Sequence, residues 1–198
     1  LGIEPPPRAQ YLRVLLSEIN RIASHLYGMG IFGVQIGMST WYMWAFGDRE
    51  VFLELADRLT GQRLTHTYSI PGGVRRDLPQ NFKDYALKAV RYMEKRLKEY
   101  KAMFLDNPVV RSRLIDVGVI SKSKAAEINV VGPTLRGSGV KYDVRKVHPY
   151  AAYDEIDFEI AYRDEGDCYA RTLVRVEEIK QSLNIIRQVV EKIPDGPI

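Results

Sequence analysis

The chain reads as a mainly α fold, four long helices packed as a bundle with irregular loops and one short β element. Three observations lead there. Apolar residues recur at helical spacing over long windows, and glycine and proline cluster between those windows. A hydrophobic content of 45% over 198 residues is ample for one core.

Pro5, Pro6 and Pro7 can only precede or open a helix, because proline lacks the N–H that a helix interior needs. Behind them Leu12, Leu15, Leu16, Ile19, Ile22, Ala23 and Leu26 mark a buried helical stripe. Gly28, Gly30 and Gly33 are expected to stop that helix in a turn. Ser39 or Thr40 is the expected N-cap of a second helix reaching Leu59 and closed by Gly61. A third helix is expected from Gln80 to Leu105, since Pro108 disfavours the α conformation at Asn107.

The stretch from Arg111 to Tyr153 is irregular, with short helical turns expected at 109–114 and 123–127. Ile156, Phe158 and Ile160 alternate with Asp157 and Glu159, the period of a half-buried strand. A last long helix is expected from Gly166-Asp167 to Pro194, with Leu173, Val176, Leu183, Ile186, Val190 and Ile193 on one broad face.

Composition narrows the function classes. A net charge of +4 is mild, and its basic residues alternate with acidic ones, as in Arg91, Glu94, Lys95, Arg96 and Lys98. That is a solvated helix face, and it argues against nucleic-acid binding. Cys168 is the only cysteine, which excludes an internal disulfide framework or a cysteine-ligated cluster within this chain and fits a reducing compartment. No apolar run approaches the roughly 20 residues of a membrane span. The chain starts at Leu1 without an initiator methionine, so residues 1–198 are expected to be one domain cut from something longer.

The richest segment lies between the second and third helices, from Thr60 to Pro79. It carries His66, Arg63, Arg75, Arg76, Asp77 and the turn Pro71-Gly72-Gly73, too polar for a core and too elaborate for a connector. A backbone shaped by proline and paired glycines lets a partner or ligand approach closely. His66, with Arg63 before it and Tyr68 after it, could change charge as a neighbouring centre changes redox state, or could be a loop histidine with one backbone bond.

Glu18, Arg21 and His25 share one stripe of the first helix, the pattern of an exposed ion pair beside a histidine. Trp41, Trp44, Phe46 and Phe52 read as core and flank Arg49 and Glu50, which point to different faces and need separate partners. No metal site is expected, since His25, His66 and His148 lack ligand spacing. The glycines of 132–137 mimic a phosphate loop, but Ser138-Gly139 replaces its lysine and Mg²⁺ ligand, so nucleotide binding there is rejected.

Several short segments, in one order, give the chain a resemblance. They include Trp44 to Glu50, Gly61-Gln62-Arg63, His66, Pro71 to Val74, Asp116 to Val119, Leu135 to Gly139, Asp143 to Lys146, Gly166 to Tyr169 and Arg175 to Glu178. The chain resembles the D-type subunit of respiratory complex I, the 49 kDa quinone-site subunit related to the large subunit of nickel–iron hydrogenases. The resemblance implies a hydrogenase-like helical core in a peripheral-arm subunit of a membrane-bound, ion-pumping NADH:quinone oxidoreductase on the cytoplasmic side of the cell membrane. Implied partners are an iron–sulfur small subunit of the B type, a C-type subunit and a membrane-anchor subunit. Quinone and the neighbour's terminal 4Fe-4S cluster would lie at the interface, with NAD at a distant subunit and no cofactor held by this segment. His66, Arg63, Tyr68, Pro71, Gly72, Gly73 and Gln35 become candidates for the quinone cavity or the cluster's surroundings, whereas Glu18, Arg21, His25, Arg49 and Glu50 become structural polar residues, the first three as a buried polar strut. The family's amino-terminal portion with its quinone-head tyrosine and histidine, and its carboxy-terminal strands, are absent from these residues. Many quinone-reducing members have an aspartate where this chain has Gln35, so an energy-converting hydrogenase, a ferredoxin-dependent membrane complex or an F420H2 dehydrogenase is the alternative. A second alternative is a non-catalytic helical interaction module, and the isolated segment is expected to be inactive.

Overall fold

The computed structural model describes residues 2–198, and its spine is helix α1, Pro7–Gln35. At 1.5 Å per residue that helix is roughly 43 Å long. It runs unbroken through Gly28, Gly30 and Gly33, where the sequence predicts a turn. The reason is packing. A Cβ on Gly30 would sit 3.0 Å from the Phe46 ring, and one on Gly33 would sit 3.0 Å from Trp41 Cβ and 3.2 Å from the Met38 carbonyl. These glycines bring the second helix against the first. Gly37, at φ +78°, makes the actual turn.

Helix α2, Ser39–Thr60, returns along α1 and closes at Gly61 (φ +78°) as predicted. Its N-cap is Met38 and no side chain caps it, so neither Ser39 nor Thr40 has the expected role. Two short strands follow, β1 (Ser69–Ile70) and β2 (Gly73–Val74), paired antiparallel with Ser69 opposite Val74. Helix α3, Phe82–Tyr100, continues as a π turn over Lys101–Leu105. Asn107 then caps α4, Pro108–Leu114, by accepting from the Val109 amide.

The tryptophans are core, as expected. Trp41 stacks on Phe104 at 5.2 Å, and Trp44 meets Tyr100 and Phe104 edge-on. Helix α5 covers Lys122–Glu127. Two further short helices, α6 (Gly132–Arg136) and α7 (Val144–Val147), lie in the stretch the sequence leaves irregular.

The predicted strand at 156–160 is not one. Ile156 and Phe158 are buried and Asp157 and Glu159 exposed, so the alternation holds, but no second strand pairs with it. Glutamines of the last helix take the ladder's place: Gln188 binds both the amide and the carbonyl of Asp157, and Gln181 accepts from the Glu159 amide. That helix, α8 (Cys168–Lys192), is capped by Asp167, which accepts from Ala170 N at 2.7 Å. It packs against α1 on one side and α3 on another, completing the four-helix bundle. No described helix is long and apolar enough to cross a membrane.

Candidate functional site

Glu18 of the Glu18–Arg21–His25 stripe is buried, with Arg21 and His25 partly buried beside it, so the stripe is not a solvent-exposed ion pair. Glu18 has no exposed surface and accepts from Arg145 (2.9 Å), Tyr153 (2.5 Å) and Ser182 (2.6 Å), with Arg21 3.3 Å away. Burial alone would raise its pKa, but Arg21 and Arg145 together with those hydrogen bonds outweigh burial and hold it below the ordinary 4.5. Asp143 clasps the other side of Arg145 at 3.0 and 2.7 Å.

Further along the same face, His25 Nε2 lies 2.6 Å from Glu178, whose other oxygen takes Arg136 at 2.5 Å. Burial pushes His25 below 6.5 despite this neighbour. Arg136 already balances the Glu178 charge, so a proton on His25 would add an uncompensated cation. The neutral ring then donates Nε2–H to Glu178. The whole strut ties α1 to α6, α7 and α8.

Arg49 and Glu50 do point apart. Glu50 pairs with Arg63 at the surface. Arg49 meets no carboxylate among the described residues; it lies 5.5 Å from the Tyr27 ring and 5.9 Å from the Phe46 ring, with Nε buried and unbonded.

The loop from Thr60 to Pro79 is pinned to the bundle. Arg13 of α1 donates to the carbonyls of Ile70 (2.7 Å) and Gly73 (2.8 Å), and Arg8 forks onto Asp77 at 2.9 and 3.1 Å. Pro71 and Gly72 form the two-residue turn, with Gly72 at φ +88°, the value a proline-glycine turn of type II requires. Tyr68 is buried and donates to the Arg76 carbonyl at 2.7 Å, so it is a strut of the loop and does not reach an open cleft.

His66 is half-buried, with Nε2 3.0 Å from Asn20 Oδ1 and Nδ1 3.2 Å from the Thr60 hydroxyl. Burial holds its pKa below 6.5, with the Gln62 carbonyl pulling the other way. His66 lines a cleft of about 460 Å³ with Arg13, Asn20, Leu64 and Thr65. Thr65 has φ +50°, a strained conformation for a β-branched residue. Arg63 does not join this cleft; its side chain is spent on Glu50.

Gln35 stands apart from His66. Fifteen residues of α1 separate it from Asn20, roughly 22 Å of helix. It is exposed at the end of α1 and lines a second cleft of about 310 Å³ with Tyr27, Ile31, Phe32, Cys168, Arg171 and Arg175. Arg175 makes one hydrogen bond, to the Arg171 carbonyl at 2.9 Å, and burial among other cations lowers its pKa. Neither arginine is among the site residues the sequence singles out, although their 171–175 spacing puts them on one face near the start of a helix. Arg13 and Asn20 lie in segments that share the resemblance, Pro5 to Leu15 and Glu18 to Arg21, but are not among the site residues the sequence singles out.

Among the described residues no group of three His, Cys, Asp or Glu side chains could hold a metal. The molecule is thus a helical scaffold with two clefts along α1, a polar one beside Asn20 and a more apolar one beside Gln35. Residues 35–198 match the family described as the respiratory-chain NADH dehydrogenase 49 Kd subunit, and the chain belongs to that family. It is 43% identical over its full length to the D-type subunit of F(420)H(2) dehydrogenase from Methanosarcina mazei, covering 53% of that protein. It is 42% identical to the D-type subunit of NADH-quinone oxidoreductase from Saccharopolyspora erythraea, covering 44%, and 43% identical to that of Akkermansia muciniphila, covering 48%. The chain spans about half the length of these relatives.

Proposed function

We propose that this chain is the central helical part of a D-type subunit in a membrane-bound, ion-pumping oxidoreductase of the NADH:quinone type, peripheral on the cytoplasmic side. The observation that carries the reading is full-length similarity to such subunits, together with an open cleft at Gln35. Tyr27, Ile31 and Phe32 give that cleft an apolar wall for a flat ring, while Gln35 and Arg175 offer hydrogen bonds to a ring oxygen. Gln35 can hold that oxygen but cannot exchange a proton with it. A 4Fe-4S cluster takes four cysteine thiolates and these residues offer one, which supports a reading in which the cluster is held by the iron–sulfur small subunit. The loop of His66, Pro71, Gly72 and Gly73 is the face offered to that subunit. The C-type and membrane-anchor subunits complete the assembly.

The test uses the assembled complex with the full-length subunit. Gln35→Leu should raise the KM for quinone at least about tenfold, the effect of losing one hydrogen bond to the ring, while the clusters remain reducible by the donor. An unchanged KM would remove the cleft from the quinone site. His66→Met should flatten the pH dependence of the terminal cluster's potential. Reduction adds a negative charge and raises the histidine pKa, so the native potential falls as pH rises between the oxidised-state pKa, below 6.5, and the reduced-state value. An unchanged slope would leave His66 structural.

A second reading has its own observation, the 43% match to an F(420)H(2) dehydrogenase subunit. Comparing F420H2 with NADH as donor in the purified complex separates the two. Turnover by this chain alone would contradict both.

A further inference from the structure

An opening of about 870 Å³ forms a slot between α3 and α8 that shares no lining residue with the Gln35 cleft. Cys168, Thr172 and Arg175 of α8 face that cleft, whereas Tyr169, Leu173 and Val176 face the slot. Tyr169 to Leu183 spans 14 residues of helix, so the slot is roughly 21 Å long.

Its floor is apolar and deep: Leu97, Leu105, Val176 and Leu183 are at most 6% exposed. A protein helix needs a broad exposed face, on the order of 800 Å² per partner, and a floor this buried offers none. The volume instead falls in the range of small-ligand sites, about 300–1,000 Å³. One wall is the π turn Lys101–Leu105, a local form that concentrates at functional sites, and its Leu105 carbonyl is taken by the Tyr169 hydroxyl at 3.1 Å.

The rim carries unmatched positive charge. Its carboxylates are already paired, Glu94 with Arg187 (2.7 Å), Asp106 with Lys101 (2.5 Å) and Glu177 with Lys180 (2.8 Å). Lys98, Arg111 and Arg163 have no carboxylate partner among the described residues. Arg111 rests 5.3 Å over the Tyr169 ring, and the Arg163 guanidinium donates only to the Tyr162 carbonyl at 3.0 Å. A second copy of the chain would set these cations against their own kind.

We propose that the slot binds an anionic amphiphile, its alkyl chain lying between α3 and α8 and its charged head held by Arg111 and Arg163. The head could be a free carboxylate or the phosphate of a membrane lipid. The proposal does not rest on the quinone reading, because the two openings lie on different faces of α8.

The test is calorimetric titration of the purified full-length subunit with palmitate, with hexadecanol as a neutral control of equal length and octanoate as a short anion. Palmitate should bind saturably at one site and more tightly than either control. Arg111→Gln with Arg163→Gln, near the rim, should weaken palmitate about tenfold or more and leave hexadecanol unchanged. Leu173→Gln, on the slot wall, should weaken palmitate and hexadecanol alike, with circular dichroism checking that the helices persist. Flotation with phosphatidylglycerol vesicles tells the sources apart: co-flotation lost in the arginine pair supports a membrane lipid, and palmitate binding without flotation supports a free acid. No saturable palmitate binding, equal affinity for hexadecanol, or palmitate binding indifferent to the arginine pair would overturn the proposal. So would loss of a partner subunit from the complex in the arginine pair with palmitate binding intact, which would make the slot a protein interface.

Discussion

Glu18 holds Arg145, Tyr153 and Ser182 in bonds of 2.9 Å or less, and that density sets the cost of removing it. Glu18→Ala would leave Arg145 with Asp143 as its one carboxylate and the buried Tyr153 and Ser182 hydroxyls without their acceptor, and should destabilise the fold by about 2–4 kcal/mol, read from urea unfolding. His25 gives a pH signature. Its folded pKa lies below 6.5, so on acidification the unfolded chain takes up a proton that the folded chain refuses. Stability is therefore intact above that value and falls as pH drops through the folded pKa. Glu178, also depressed, extends the loss below 4.5. Urea midpoints should decline from about pH 7 towards pH 5, and His25→Gln should flatten that part of the curve while leaving the more acidic loss. Gly72→Val places a β-branched residue at φ +88° and should cost roughly 1–2 kcal/mol, seen as a lower Tm.

Among the elements, α1 and α2 pack through glycine. Gly33→Ala sets a Cβ 3.2 Å from the Met38 carbonyl and 3.0 Å from Trp41, neither able to yield easily, and should cost about 1–3 kcal/mol by thermal unfolding. Gly28, where an added Cβ would meet no atom within 4 Å, should accept alanine without loss, which makes it the internal control. The segment at 156–160 behaves differently from a strand because its backbone bonds to Gln181 and Gln188, not to a ladder. Replacing both glutamines with alanine should speed amide exchange at Asp157 and Glu159 by hydrogen-exchange mass spectrometry, with the urea midpoint nearly unchanged.

On the scale of the whole molecule, exposed apolar side chains concentrate in the irregular half. Val117, Val119, Ile128, Val131, Val144 and Val147 are each 45–78% exposed. Such a surface suits a subunit that is covered by neighbours, and the isolated chain should self-associate with rising concentration in sedimentation velocity. Val119→Lys with Val131→Lys should shift it towards monomer. A chain that stays dispersed at high concentration would count against an assembly role for this surface.

Periodicity alone was enough for four long helices and the ends at Gly61 and Asn107, because an apolar stripe and a left-handed or pre-proline residue act locally. The motif spacing was enough for the family. The sequence could not show that Gly30 and Gly33 continue a helix, since a glycine that breaks a helix and one that admits a neighbour look alike until the neighbour is in place. Residue spacing by itself could not show that Glu18 is buried and His25 largely so, which only the resemblance implied, because their partners Arg145, Ser182 and Glu178 lie more than a hundred residues away. Nor could it divide the candidate residues between two clefts and spend Arg63 and Tyr68 on internal bonds. Those outcomes depend on which helix faces meet, and that is settled by long-range packing, where the energy of each contact belongs to residues far apart in the chain.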